Sequence, residues 1–133
     1  MRENNRNEVI KLNSLAVGIG GMLGSMTRFM LSDIFPSNGG FPYITMLINW
    51  SGSLLFAFIF VKLSTKKEWL KLGATTGFLG GFTTFSTFSV EAIQLVEQQL
   101  LGQALLYCLA SIIGSIACCY IAYRFVTKGV KTD

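Results

Sequence analysis

Four uncharged stretches order this chain: Leu12 to Thr27, Pro36 to Val61, Leu72 to Val90 and Gln98 to Tyr123. All but the first exceed the roughly 18 residues that a helix needs to cross hydrocarbon. The first reaches that length if Arg28 is carried near its far end and the helix runs on to about Phe35. The pattern predicts an all-α membrane protein of four transmembrane helices, spanning about 12–35, 43–63, 71–97 and 101–125, in one domain over 1–133. A soluble four-helix bundle would show a charged face on each helix, and none of these segments has one. Residues 1–11 read as a polar tail, and "FPSNGGFP" (Phe35 to Pro42) as a turn. A cleavable leader over Arg2 to about Thr27 would require a small-x-small cleavage site and a polar mature domain. Three more spans follow instead.

Polar and small residues interrupt the apolar runs at regular spacings. In the first span Gly20 and Gly24, and Gly21 and Ser25, lie four apart, a spacing that lets helices approach closely. Arg28 lies some 24 Å along that helix if the rise is 1.5 Å per residue, where a guanidinium either snorkels or anchors something. In the second span Thr45, Asn49, Gly52 and Ser53 form one polar face, which serves either to bond a neighbouring helix or to line a pore. The third contains "GGFTTFSTFS" (Gly80 to Ser89), where two adjacent glycines meet β-branched threonines. These propagate a helix poorly, so a break is predicted near the middle of this span. In lipid, freed carbonyls must be buried in protein or line a wet cavity, and half-helix ends are where transport proteins hold ions.

Past that break Phe85 and Phe88 share a face, as do Thr84, Phe88 and Glu91. In the fourth span Tyr107, Ser111 and Ser115 make a hydroxyl ladder beside a small-residue stripe of Ala110, Gly114 and Cys118. A ring has a negative face and a positive edge, so phenylalanines beside hydroxyl and amide donors suit a small anion without any fixed positive charge. The alternative, in which both rings face lipid or core and the ladder joins helices, stays open on spacing alone.

Composition narrows the chemistry. There is no histidine, so histidine-based catalysis and zinc chemistry are excluded, and no paired carboxylates offer an acid-base set. An enzyme is not expected. Cys108, Cys118 and Cys119 all lie in the fourth span and read as small hydrophobes. The residues alone support a small-ion pathway, anion slightly favoured. The rival is a proton-coupled small-molecule exporter of the dual-topology type. That would need a central carboxylate, and Glu91 is the single acid within a span away from helix ends.

The blocks "GGMLGSMTRF" (Gly20 to Phe29), "INWSGSLLFAF" (Ile48 to Phe58) and "GFLGGFTTFSTFSVE" (Gly77 to Glu91) resemble the signature blocks of the Fluc/CrcB fluoride channels. The run "YCLASIIGS" (Tyr107 to Ser115) is similar to that family too. The resemblance implies a passive fluoride exporter of the bacterial cell membrane, built as an antiparallel dimer with two narrow pores. It implies that Phe85 and Phe88 line the path with ring edges and that Asn49 is the pore asparagine. It also implies a polar track through Ser86, Thr87, Glu91, Tyr107, Ser111 and Ser115, an interfacial Arg28, and a structural Na+ held by the backbone carbonyls of Gly80 and Thr83. The implied logic is acid trapping: neutral hydrogen fluoride diffuses in, ionises, and leaves as fluoride. No internal repeat is present, so the second half of any inverted pair must come from another chain.

Charge placement sets an orientation. With four spans, Arg2, Arg6, Lys11, Lys62, Lys66, Lys67, Lys71, Arg124, Lys128 and Lys131 share one side, and only Arg28 can reach the other. Basic residues near span ends stay cytoplasmic, which predicts both termini inside. An antiparallel homodimer requires copies in both orientations. The bias therefore predicts a homologous partner of opposite topology, with a homodimer as the alternative.

Overall fold

In the computed structural model the description covers residues 2–37, 40–64 and 66–130. Asn38 and Gly39 of the turn, Thr65 of the basic loop and Lys131 of the C-terminal tail lie outside the described residues. Every regular element within the described residues is helical. Helix α1 spans Arg2–Ile34, so the polar tail is not a separate segment but the first turns of the helix. The reason is cooperativity: once the apolar part nucleates a helix, each added residue costs little, and neither glycine nor proline occurs before Gly18. At about 1.5 Å per residue, α1 outreaches a hydrocarbon core.

Helix α2 spans Tyr43–Lys62, entered from Pro42 and ending on a lysine that suits the negative end of the helix dipole. The third predicted span holds no single helix of membrane length. It is divided into α3 (Glu68–Leu72), a π-helical segment (Gly73–Leu79), α4 (Gly80–Phe82) and α5 (Ser86–Glu97). Helix α6 spans Leu101–Val130. Gln99, with φ of 63°, turns the chain between α5 and α6, and the Leu100 N–H bonds the Leu95 carbonyl at 2.9 Å in a Schellman closure. Among the described residues three helices are long and apolar enough to cross a membrane: Arg6–Ile34, Tyr43–Lys62 and Leu101–Lys128.

Two pairings carry the packing: α2 lies along α6, and α1 lies along the π-helical segment and α4. Ile48, Leu79 and Phe82 form one buried cluster, and Leu95, Ala104 and Tyr107 a second. Most other large apolar side chains point outward, among them Leu15, Met22, Phe29, Ile116 and Phe125. A water-soluble chain does not expose so much contiguous apolar surface, whereas lipid and a partner helix both accept it.

Glycine makes the α1 contact possible. A Cβ built on Gly24 would strike the Phe78 carbonyl and stand 2.9 Å from the Phe82 amide nitrogen, and one on Gly20 would strike the Gly73 carbonyl. These obstacles are helical backbone and cannot rotate aside. Gly24→Val is therefore expected to cost at least about 1–3 kcal/mol of overpacking, read as a lower melting temperature in detergent. An unchanged melting temperature would show that α1 can slide away from the segment.

Candidate ion pathway

The site is built around the residues between α4 and α5. Thr83 is extended, with φ of −75° and ψ of 156°, so the helical ladder stops at Phe82. Backbone groups released in this way need partners, and side chains from other helices supply them. The Asn49 Nδ2 donates to the Thr84 carbonyl at 2.9 Å, while the Thr84 N–H donates to Asn49 Oδ1 at 2.9 Å. One carboxamide thus satisfies both backbone groups of Thr84. Arg28 Nε donates to the Gly81 carbonyl at 3.1 Å, placing a cation where the helix dipole is negative. The Thr84 hydroxyl accepts from the Thr87 N–H at 3.1 Å and donates to the Thr87 hydroxyl at 3.0 Å, capping the start of α5.

Two carbonyls remain free of their helical donors. An uninterrupted helix would bring the Thr84 N–H to the Gly80 carbonyl and the Thr87 N–H to the Thr83 carbonyl. Both N–H groups are engaged elsewhere, by Asn49 and by the Thr84 hydroxyl. Gly80 and Thr83 also border one cavity of about 320 Å³, together with Gly52, Ser53 and Cys119. Unpaired backbone oxygens are the ligand type that a hard cation prefers, so these residues fit a sodium ion. Among the described residues no cluster of acidic, histidine and cysteine side chains offers a competing metal site.

A second cavity, of about 380 Å³, is lined by Asn49, Ser53, Thr83, Thr84, Phe85, Phe88, Ser111, Ile112, Ser115 and Ile116. It brings Asn49, Phe85, Phe88, Ser111 and Ser115 into one space. The rings of Phe85 and Phe88 lie 5.8 Å apart and tilted by 37°. Phe85 is 79% exposed, so one side of its ring has no cover from the described residues. Ser111 is 5% exposed, and its hydroxyl has no hydrogen-bond partner among the described residues. Serine in a helix commonly bonds back to the carbonyl four residues earlier; here it does not.

Beyond Phe88 the track continues through Tyr107, whose ring lies 5.1 Å from that of Phe88 and meets Phe41 edge-on at 5.7 Å. The Tyr107 hydroxyl donates to Glu91 Oε2 at 2.7 Å, and the Thr45 hydroxyl donates to Glu91 Oε1 at 2.9 Å. Glu91 therefore joins α2, α5 and α6, and it also borders a small polar recess with Ser37, Gln94 and Gln98. Ser86 and Thr87 lie outside the large cavity. They sit against the Thr84 hydroxyl, Ser86 at 3.3 Å, and belong to the capping of α5. Arg28 lies at the opposite flank, on Gly81.

Three further contributors complete the site, of which only Trp50 lies outside the features read from sequence. Ser53 lines both cavities, Thr45 holds Glu91, and Trp50 donates to the Ala110 carbonyl at 3.0 Å. Thr45 and Ser53 carry a readable signal, since both share a helical face with Asn49. For Trp50 the signal is indirect: an indole opposite the small stripe of Ala110 and Gly114 is a knob facing a hole.

Comparison with known proteins gives concordant results. The profile of a family described as "CrcB-like protein, Camphor Resistance (CrcB)" matches residues 15–123. A protein of Geobacillus kaustophilus named Fluoride-specific ion channel FluC 2 is 44% identical over 114 residues, covering 82% of this chain and 88% of that protein. A Fluoride-specific ion channel FluC of Methylobacterium sp. is 42% identical over 119 residues, covering 86% of this chain and 96% of that one. A Listeria innocua protein named Fluoride-specific ion channel FluC 2 is 40% identical over 117 residues, covering 86% and 90%.

Proposed function

The chain belongs to the CrcB-like family, and from that premise we propose that it is a passive, fluoride-selective channel of the cell membrane that lets accumulated fluoride leave. The observation that carries this reading is the Ser111 hydroxyl, buried without a partner in a cavity walled by Phe85 and Phe88. A buried donor left unmade costs about 1–3 kcal/mol, and fluoride, a small hard anion, is a strong acceptor that would relieve it. Ser53, Ser115 and the one Nδ2 proton that Asn49 keeps after bonding Thr84 add neutral donors to the same space. Ring edges from Phe85 and Phe88 add weak positive potential. Among the described residues no lysine or arginine lines the cavity, and this suits conduction, because a fixed cation would hold the anion too tightly to release it. Tyr107 spends its proton on Glu91 and so presents its ring beside Phe88. No catalytic residue is assigned.

The test is flux. Liposomes carrying the protein together with a homologous partner chain, and loaded with fluoride or chloride, should release fluoride and retain chloride. Release of both at equal rates, or of neither in the presence of a homologous partner chain, would overturn the reading.

The finer architecture belongs to the same proposal. The pieces from Glu68 to Glu97 together form a fourth, interrupted span. The exposed ring of Phe85 meets a second subunit in an antiparallel dimer. The freed carbonyls of Gly80 and Thr83, with those of the partner subunit, would hold a structural sodium ion that is not transported, and its positive charge would offset their negative ends. Replacing sodium with a bulky organic cation is expected to weaken the dimer and reduce flux; unchanged elution and flux would remove the ion from the architecture.

Orientation follows from the ten-to-one distribution of basic residues described above. Both termini are cytoplasmic, and the natural partner is a homologous subunit of opposite topology. In intact cells Ser64→Cys should escape an impermeant maleimide and react with a permeant one. Equal labelling from both sides, or full flux from this chain purified alone, would favour a homodimer.

A further inference from the structure

Trp50 occupies a place that the pathway residues do not explain. Its indole N–H donates to the Ala110 carbonyl at 3.0 Å, across from α2 to α6. Its ring lies where a Cβ on Gly114 would be, so that any side chain there would collide with the indole. Ala110 and Gly114 form one row on α6, and Ser111 and Ser115 form the row directly beside it, 100° away on a helix of 3.6 residues per turn. The arrangement repeats on α2. Asn49 and Ser53 face the cavity, and Trp50, next to Asn49, faces α6. The two donor-bearing walls therefore meet at one seat, a flat ring lodged on a glycine and pinned by one hydrogen bond.

We propose that Trp50 is a positioning residue that fixes the rotation and distance of α6, and thereby the width of the track between Ser111, Ser115 and the ring of Phe88. It sets the preference for fluoride over the larger chloride; this rests on the fluoride-channel reading. The bond and the ring act in different ways. The N–H fixes the height of α6 against α2, because Ala110 offers its carbonyl at one level only. The ring fixes the separation, because the missing Cβ of Gly114 admits a flat aromatic and nothing thicker. Without the bond α6 can rock about the glycine, and the neighbouring serine row moves with it. Chloride, needing more room and weaker donors, gains from such looseness, and fluoride loses from it.

Two variants test this in liposomes that also carry a homologous partner chain, each measured for fluoride efflux, chloride efflux and elution of the assembled protein. Trp50→Phe keeps an aromatic ring but removes the donor together with the part of the indole that rests on Gly114, so it adds no volume and should assemble normally. The fluoride-to-chloride ratio is expected to fall roughly five-fold, the scale of one hydrogen bond. Gly114→Ala adds a methyl group under the ring and should lower the ratio further. A Trp50→Phe protein with the wild-type ratio would overturn the proposal. So would parallel loss of both fluxes at constant ratio, which would mean that Trp50 only holds the helices together. If Gly114→Ala fails to assemble, Trp50→Phe decides alone. A wild-type protein without fluoride preference is the separate result that removes the underlying reading.

Discussion

Replacing Phe85 and Phe88 together with isoleucine is expected to slow fluoride efflux sharply while the protein still assembles. Both rings border the cavity that holds the unpartnered Ser111 hydroxyl, and they lie 5.8 Å apart. Isoleucine keeps most of the apolar volume but has no electropositive edge. If each ring contributes about a kilocalorie to the anion's passage, on the scale of aromatic contacts, losing both slows efflux about thirty-fold, at 1.4 kcal/mol for each factor of ten. The core should tolerate the exchange, since Phe85 is largely exposed and Tyr107 keeps its edge contact with Phe41. Fluoride efflux at the wild-type rate from the double variant would mean that the rings face lipid or core only.

The second large effect is expected at Asn49. Asn49→Leu is close to isosteric, yet it strips the Thr84 N–H and carbonyl of their partners at once. Each unsatisfied backbone group costs about 1–3 kcal/mol when buried. The variant should melt at a lower temperature and conduct nothing. Asn49→Asp separates stability from conduction. It retains an acceptor for the Thr84 N–H but puts a negative charge beside the cavity, so assembly should survive better than flux. Asn49→Leu with wild-type melting would show that water or another side chain already serves Thr84.

Reading the chain alone located much of this molecule, and the limits are physical. The long apolar runs at 12–35, 43–63 and 101–125 became α1, α2 and α6 because length and hydropathy suffice to specify a membrane helix. The same signal says nothing about where a helix stops outside lipid, so the polar turns of α1 read as a tail. The π-helical turns at Gly73–Leu79 were not legible either. They arise where Gly20 and Gly24 press backbone against Gly73 and Phe78, a tertiary contact with no local pattern. Periodicity put Asn49 on one face with Thr45 and Ser53, and Ser111 on another with Tyr107 and Ser115. What Asn49 bonds could not be read, because its partner is the main chain of Thr84, and a backbone group leaves no trace in residue identity. Trp50 escaped for the opposite reason: a tryptophan in a membrane segment looks like an ordinary apolar residue until the glycine it rests on is seen.

The bond from Asn49 to Thr84 also bears on how the protein is made. A chain emerges from the ribosome N-terminus first, so α2 is complete before Thr84 is synthesised. When the unpaired N–H and carbonyl of Thr84 reach the bilayer, the carboxamide that receives them is already there, thirty-five residues ahead. The Arg28 guanidinium, fifty-three residues ahead of Gly81, is waiting as well. The irregular segment thus never needs to enter lipid with its polar backbone bare. The Trp50 seat has the reverse order, since Gly114 is synthesised after it. Biogenesis should therefore proceed in two stages: the irregular segment is secured during insertion, and the track acquires its final width only when α6 closes against α2.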